Sequence, residues 1–198
     1  MTGHTESRGY SLLELMMVVA LGATLSAAAV PEYLSALDEI RASGAVHHVS
    51  ARLQRARMEA VRRSAVVGLQ ITQTPDGRYV SALYVDGNRN GVLSLDIRRG
   101  VDRSIAAVER LGDQFAGVEF GVVPGLPPID AGGAAPGADP IHLGAGSIAS
   151  FSAAGTATAG TVYIRSRRDA QYAVRIFGET GKTRMLKFEP RARKWRQL

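Results

Sequence analysis

Apolar and polar positions divide the chain into stretches with different periods. From Tyr10 to Val30 the residues are almost continuously apolar, broken only by the charge of Glu14, and Pro31 follows. A helix over that stretch, at about 1.5 Å per residue, spans roughly 30 Å, which is one bilayer crossing. From Glu32 to about Val66 the pattern becomes that of an amphipathic helix. Ala42, Ala45, Val46, Val49, Leu53, Ala56 and Ala60 recur at spacings of three and four, a narrow stripe of small and apolar residues suited to close packing. Arg52, Arg55, Arg57, Arg62 and Arg63 fill most of the remaining circumference and are expected to be solvated, with Glu59 four residues before Arg63 to form an ion pair. Pro31 removes a helix hydrogen bond and Gly44 lowers helix propensity, so both are expected points of bend.

From Val66 onward the period shortens to two. Val66 to Thr72, Tyr79 to Val85, Val118 to Val123, Thr161 to Ser166, Gln171 to Phe177 and Thr183 to Phe188 read as strands, with weaker candidates at Ser104 to Val108 and Ser147 to Phe151. Pro75-Asp76-Gly77 supplies a turn for the first pair and Glu179-Thr180-Gly181 one for the last. Pro124 to Gly146 has five prolines, six glycines and little apolar mass, and reads as a long surface loop. A long helix followed by antiparallel hairpins predicts an α+β fold with the helix stripe against a sheet face. The expected divisions are a leader 1–9, a membrane helix 10–31, its amphipathic extension 32–66, and a β-rich head 67–198 that contains the Gly/Pro loop 124–147 and a basic tail 182–198.

Composition adds three constraints. At 198 residues there is room for one membrane helix and one globular domain, and the absence of cysteine rules out a disulfide framework. Arg8 precedes the apolar span, so the positive-inside rule puts the leader in the cytoplasm and the head beyond the membrane. The net charge of +6 is concentrated at the carboxyl end: Lys182, Arg184, Lys187, Arg191, Arg193, Lys194 and Arg196 oppose Glu189 alone, and the rest of the chain balances to zero. A nucleic-acid or acidic-surface argument must start from that tail, where Phe188 and Trp195 are interleaved as stacking surfaces.

Several chemical motifs are present only in part. Asp86-x-Asn88-x-Asn90-Gly91 copies half of a calcium loop, but its twelfth position is Ile97 instead of a bidentate glutamate, and a turn rich in Asp, Asn and Gly accounts for it. Gly181-Lys182-Thr183 lacks the upstream glycine of a phosphate-binding loop and meets Pro190 where a helix should follow. Gly144-x-Gly146-x-x-Ala149 has no strand before it. His47 and His48 diverge by about 100° on a helix and do not share a metal. No nucleophile stands beside a suitable base. The expectation is a chain with no catalytic site, cofactor or metal.

The amino-terminal run Arg8-Gly9-Tyr10-Ser11-Leu12-Leu13-Glu14-Leu15, with the apolar helix and Pro31 behind it, resembles that of type IV pilins and type II secretion pseudopilins. The resemblance implies cleavage after Gly9 by a prepilin peptidase and N-methylation of the exposed Tyr10, where relatives usually carry Phe. It also implies an assembly role for Glu14, whose carboxylate would meet the new α-amino group of a neighbouring subunit. Two plainer accounts compete: a conventional signal peptide cut after Ala27-Ala28-Ala29, and an anchor whose Glu14 snorkels to the interface. Further landmarks follow in order. They are Gln54-Arg55-Ala56-Arg57-Met58-Glu59-Ala60, Tyr84-Val85-Asp86-Gly87-Asn88-Arg89-Asn90-Gly91, Phe151-Ser152-Ala153-Ala154-Gly155 with Gly160-Thr161-Val162, and Gly181-Lys182-Thr183-Arg184. Together they resemble the GspH/FimT group of minor pseudopilins. That likeness implies a structural or initiating subunit of a type II secretion pseudopilus or type IV pilus. Its partners would be other pseudopilins, the peptidase and inner-membrane lipid, with the head in the periplasm. The alternative within the same group is a DNA-binding minor pilin for uptake, using the tail cations around the Gly-Lys-Thr-Arg element.

Overall fold

The computed structural model describes residues 10–130, 132–144 and 146–198. They fall into two bodies, one ending at Leu37 and one running from Asp38 to Leu198. A single helix, α1, Leu12–Arg63, contributes to both and is continuous through Pro31 and Gly44. In the first body the apolar residues from Tyr10 onward are exposed, Leu12 to 78% and Met17 to 66%. Such a surface is unfavourable in water, and none of the described residues of that body covers it.

The second body, the head, has a core of its own. Its strands are β1 (Val67–Gln73), β2 (Tyr79–Val85), β3 (Arg103–Ser104), β4 (Val118–Phe120), β5 (Ile141–Leu143), β6 (Ile148–Phe151), β7 (Gly160–Ser166), β8 (Gln171–Ile176), β9 (Thr183–Glu189) and β10 (Lys194–Gln197), with short helices α2 (Ser94–Arg99) and α3 (Leu111–Gln114) between. One sheet has the order β3-β2-β1-β6, the other β10-β9-β8-β7-β4, and β5 joins the edge of β7 beyond β4. All the pairings are antiparallel. Both expected turns are present: Thr74 donates to the Arg78 carbonyl at 2.7 Å and Gly181 to the Phe177 carbonyl at 2.8 Å.

The stripe Ala42, Ala45, Val46, Val49, Leu53, Ala56 and Ala60 is buried throughout, and alternate residues of both sheets meet it, among them Val67, Leu69 and Ile71 of β1 and Tyr172, Val174 and Ile176 of β8. Small residues on the helix let the strands approach closely. Truncating Leu53, which is fully buried, should cost about 2–5 kcal/mol.

Three expectations are corrected. The segment from Pro124 to Gly146 is more than a surface loop: Leu126, Ile141 and Leu143 are buried and Ile141–Leu143 forms β5. Tandem Pro and Gly hid a short edge strand, which contributes few hydrogen bonds and needs only three residues of alternation. Arg52 is not solvated but buried, 6% exposed, because Glu109 lies beside it. The basic tail holds one strand more than the expected Thr183 to Phe188, since Lys194–Gln197 pairs with Thr183–Glu189 in the second sheet.

Candidate functional site

The amino-terminal end of α1 is built by a cap. Ser11 precedes the first helical residue, its carbonyl accepts from Leu15 N at 3.1 Å, and its Oγ accepts from Glu14 N at 3.2 Å. This is half of a capping box, for which Ser-x-x-Glu is the sequence signature, present here as Ser11-Leu12-Leu13-Glu14. The cap fixes Glu14 in the first helical turn, where its carboxylate also suits the positive end of the helix dipole. Glu14 is exposed and has no salt-bridge partner among the described residues. Tyr10, 86% exposed, lies just before the cap, while Gly9 falls outside the described residues. The span from Leu12 is long and apolar enough to cross a membrane.

The tail cations do not form one patch, because strand alternation separates them. Lys187 pairs with Glu39, Arg196 with Glu189, and the register Arg196↔Lys187 places these two on one face of the sheet. Arg184 lies on the other face, its guanidinium 5.1 Å from the centre of the Phe177 ring. Arg193 reaches the Gly125 carbonyl at 3.5 Å, and Arg191 and Lys194 are exposed near the β9–β10 turn. Lys182 and Arg184 share a groove of about 390 Å³ with Phe177, Thr180 and Gln197. Phe188 and Trp195 are not free stacking surfaces. Their rings lie 5.4 Å apart, and Trp195 Nε1 donates to the Pro127 carbonyl at 3.0 Å.

Elsewhere the polar groups have structural work. Glu59 takes both Arg62 at 2.6 Å and Arg63 at 2.7 Å, and these hydrogen bonds, Arg62 first, hold its carboxyl down to about 2. His47 donates to the Ser43 carbonyl at 2.7 Å, whereas His48 Nε2 meets Glu109 Oε2 at 3.0 Å, so the adjacent histidines do diverge. Glu109 also receives Arg52, and although burial raises its pKa, hydrogen bonds from His48 and the Arg52 charge outweigh that and lower it. In the Asp86 turn the carboxylate accepts from Asn88 N at 3.0 Å, Arg89 N at 2.7 Å and Gly91 N at 2.8 Å, which are amide contacts and not a cation shell. Among the described residues no cluster of three or more His, Cys, Asp or Glu is arranged to hold a metal.

The model of the family described as type II transport protein GspH matches residues 45–180, and that of the prokaryotic N-terminal methylation motif matches residues 5–30. A curated relative, the pilin-like protein PilA1 of Thermus thermophilus, is 37% identical over 83 residues. That match covers 42% of this chain and 51% of the relative, so the chain spans about half the relative's length. No solved structure matches. The methylation motif overlaps the start of an exposed apolar helix that is long enough to cross a membrane, which suits membrane anchoring. The family model covers most of the head and the second motif the amino terminus, and on that ground the chain belongs to the GspH family.

Proposed function

We propose that the protein is a minor pseudopilin, a structural and initiating subunit of a type II secretion pseudopilus or a type IV pilus, with no catalytic role of its own. One observation carries this reading: among the described residues the apolar stretch of α1 is exposed, while the head has a core of its own. The uncovered surface suits lipid first and the helices of neighbouring subunits afterwards. Cleavage after Gly9 by a prepilin peptidase would leave Tyr10 as the methylated first residue, with the Ser11 cap presenting Glu14 close behind it. A carboxylate within an apolar span costs on the order of 2.5–3.5 kcal/mol near a bilayer centre, and a neighbour's terminal ammonium offsets that cost. In this scheme the leader faces the cytoplasm and the head the periplasm, following Arg8.

The test has two arms. Terminal sequencing of the protein extracted from membranes should begin at Tyr10; a start near Val30 would replace this reading with an ordinary secreted domain. Glu14→Ala should leave membrane insertion intact and reduce co-purification with other filament subunits, and undiminished co-purification favours an anchor whose Glu14 only snorkels. A second reading, DNA binding during uptake, is supported by the shared groove of Lys182 and Arg184 at the Gly181-Lys182-Thr183-Arg184 turn.

A further inference from the structure

The segment 86–104, from the end of β2 through β3, hides its negative charges and displays its positive ones. It carries four arginines, Arg89, Arg98, Arg99 and Arg103, against three aspartates, so as sequence it is nearly neutral. In the fold, Asp96 and Asp102 are buried, 6% and 2% exposed. Asp102 accepts from Gly87 N at 3.0 Å and from Leu93 N at 2.9 Å, and Asp96 accepts from the Asn90 side chain at 2.9 Å. Asp86 is spent on the amides of its own turn. All four arginines are exposed, and none has a salt-bridge partner among the described residues.

Between them stand apolar side chains that serve no core. Leu93 is 45% exposed, Leu95 46% and Val101 36%. Leu95 shares a face of α2 with Arg98 and Arg99 by its spacing of three and four. The scaffold below is closely packed. Val92 is buried over β1, where Gly68 makes room for it: a β-carbon on Gly68 would lie 3.1 Å from Val92. The Val101 carbonyl sits so close to Gly87 that a β-carbon there would be 2.1 Å from its oxygen. The whole segment stands at the end of the head where α1 terminates, with Asp86 N bonded to the Val66 carbonyl at 2.9 Å.

A preorganised surface of free arginines around exposed leucines fits a protein partner. Arg is enriched in interface cores while Asp and Glu are depleted, and a surface already ordered loses little entropy on binding. Bases offer no match, since no aromatic side chain is displayed among these residues for stacking. We infer that residues 86–104 dock another subunit of the same filament, at a patch where carboxylates surround an apolar contact. The inference builds on the assembly reading above and adds the face and the chemistry of the neighbour.

The test uses the full-length chain in cells that make the whole assembly, with the photocrosslinker benzoylphenylalanine at Leu95 or, as a control, at Thr72. Crosslinking from position 95 to a pilin-like subunit should fall about tenfold with Arg98→Glu/Arg99→Glu, and return when a carboxylate at the crosslinked position of that subunit is changed to Lys. Neither arginine has an ion-pair partner among the described residues, so Arg98→Gln/Arg99→Gln should keep the wild-type melting temperature while losing the crosslink. Crosslinks that survive charge reversal, or that go to phospholipid or nucleic acid, overturn the inference. So does an absence of crosslinks while the chain still co-purifies with filament subunits, an outcome that leaves the assembly reading standing. A chain that neither co-purifies nor crosslinks overturns both.

Discussion

Glu109→Gln tests whether the buried arginine of α1 depends on its distant carboxylate. Arg52 keeps only 7% of its side chain exposed and is flanked by the Ser81 carbonyl at 3.4 Å and by Glu109, which itself binds His48 at 3.0 Å and Gln114 at 3.2 Å. Breaking a fully buried pair from one side costs about 3–5 kcal/mol. Glu109 retains 29% side-chain exposure and glutamine keeps an acceptor, so the expected loss is about 2 kcal/mol. Urea unfolding of the head from Glu32 onward, which contains the whole core, measures it. Arg52→Met/Glu109→Gln should recover at least half of the loss, because the uncompensated charge is then gone. The pH dependence carries the same signature. The folded pKa of Glu109 is lowered, so its stabilisation is present above the ordinary glutamate value of 4.5 and disappears as pH falls through the lower folded value. The single variant should lose that part of the acid dependence. A cost under about 0.5 kcal/mol, or a double variant that is simply additive, refutes the argument.

Three further outcomes follow from the same geometry. Gly87→Ala places a methyl against the Val101 carbonyl, a backbone atom, and should lower head stability by about 2 kcal/mol or more; an unchanged thermal midpoint contradicts this. Burial pushes the Tyr172 phenol up to about 12 and raises those of Tyr163 and Tyr79, so stability held below pH 10 should be lost between 10 and 12, with Tyr172 ionising last in an ultraviolet titration. If duplex DNA binds only through the groove of Lys182 and Arg184, log affinity should fall against log salt with a slope near −2 and binding should vanish in Lys182→Gln/Arg184→Gln; a slope near −6 would require all seven tail cations to converge.

What the sequence made legible was the structure whose cause is local. The core stripe of α1 reads directly because burial on a helix imposes its own period, and all seven residues from Ala42 to Ala60 obey it. Glu59 and Arg63 were readable for the same reason, being one turn apart. Strand existence was legible for β1, β2, β7, β8 and β9, whereas β5 and β10 are short and sit among Pro, Gly or charge, where alternation has too few positions to show. The Ser11 cap has a local cause as well, the Ser-x-x-Glu spacing of Ser11 and Glu14.

Long-range polar pairing was not readable, and it decides where the charge goes. His48 and Glu109 lie 61 positions apart, and nothing near Arg52 announces that a carboxylate will arrive to allow its burial. The same limit defeats any count of charge along the chain. The tail looks like the basic patch because seven cations crowd into residues 182–196, yet a period of two sends Arg184 to one sheet face and Lys187 and Arg196 to the other, where Glu39 and Glu189 meet them. Residues 86–104 look neutral because three aspartates stand among four arginines, yet backbone amides take up Asp86 and Asp102, the Asn90 side chain takes up Asp96, and the arginines are left outside. Free cationic surface is therefore set by which carboxylates the backbone captures. On this protein that condition favours the loop over the tail as the place where an acidic neighbour docks.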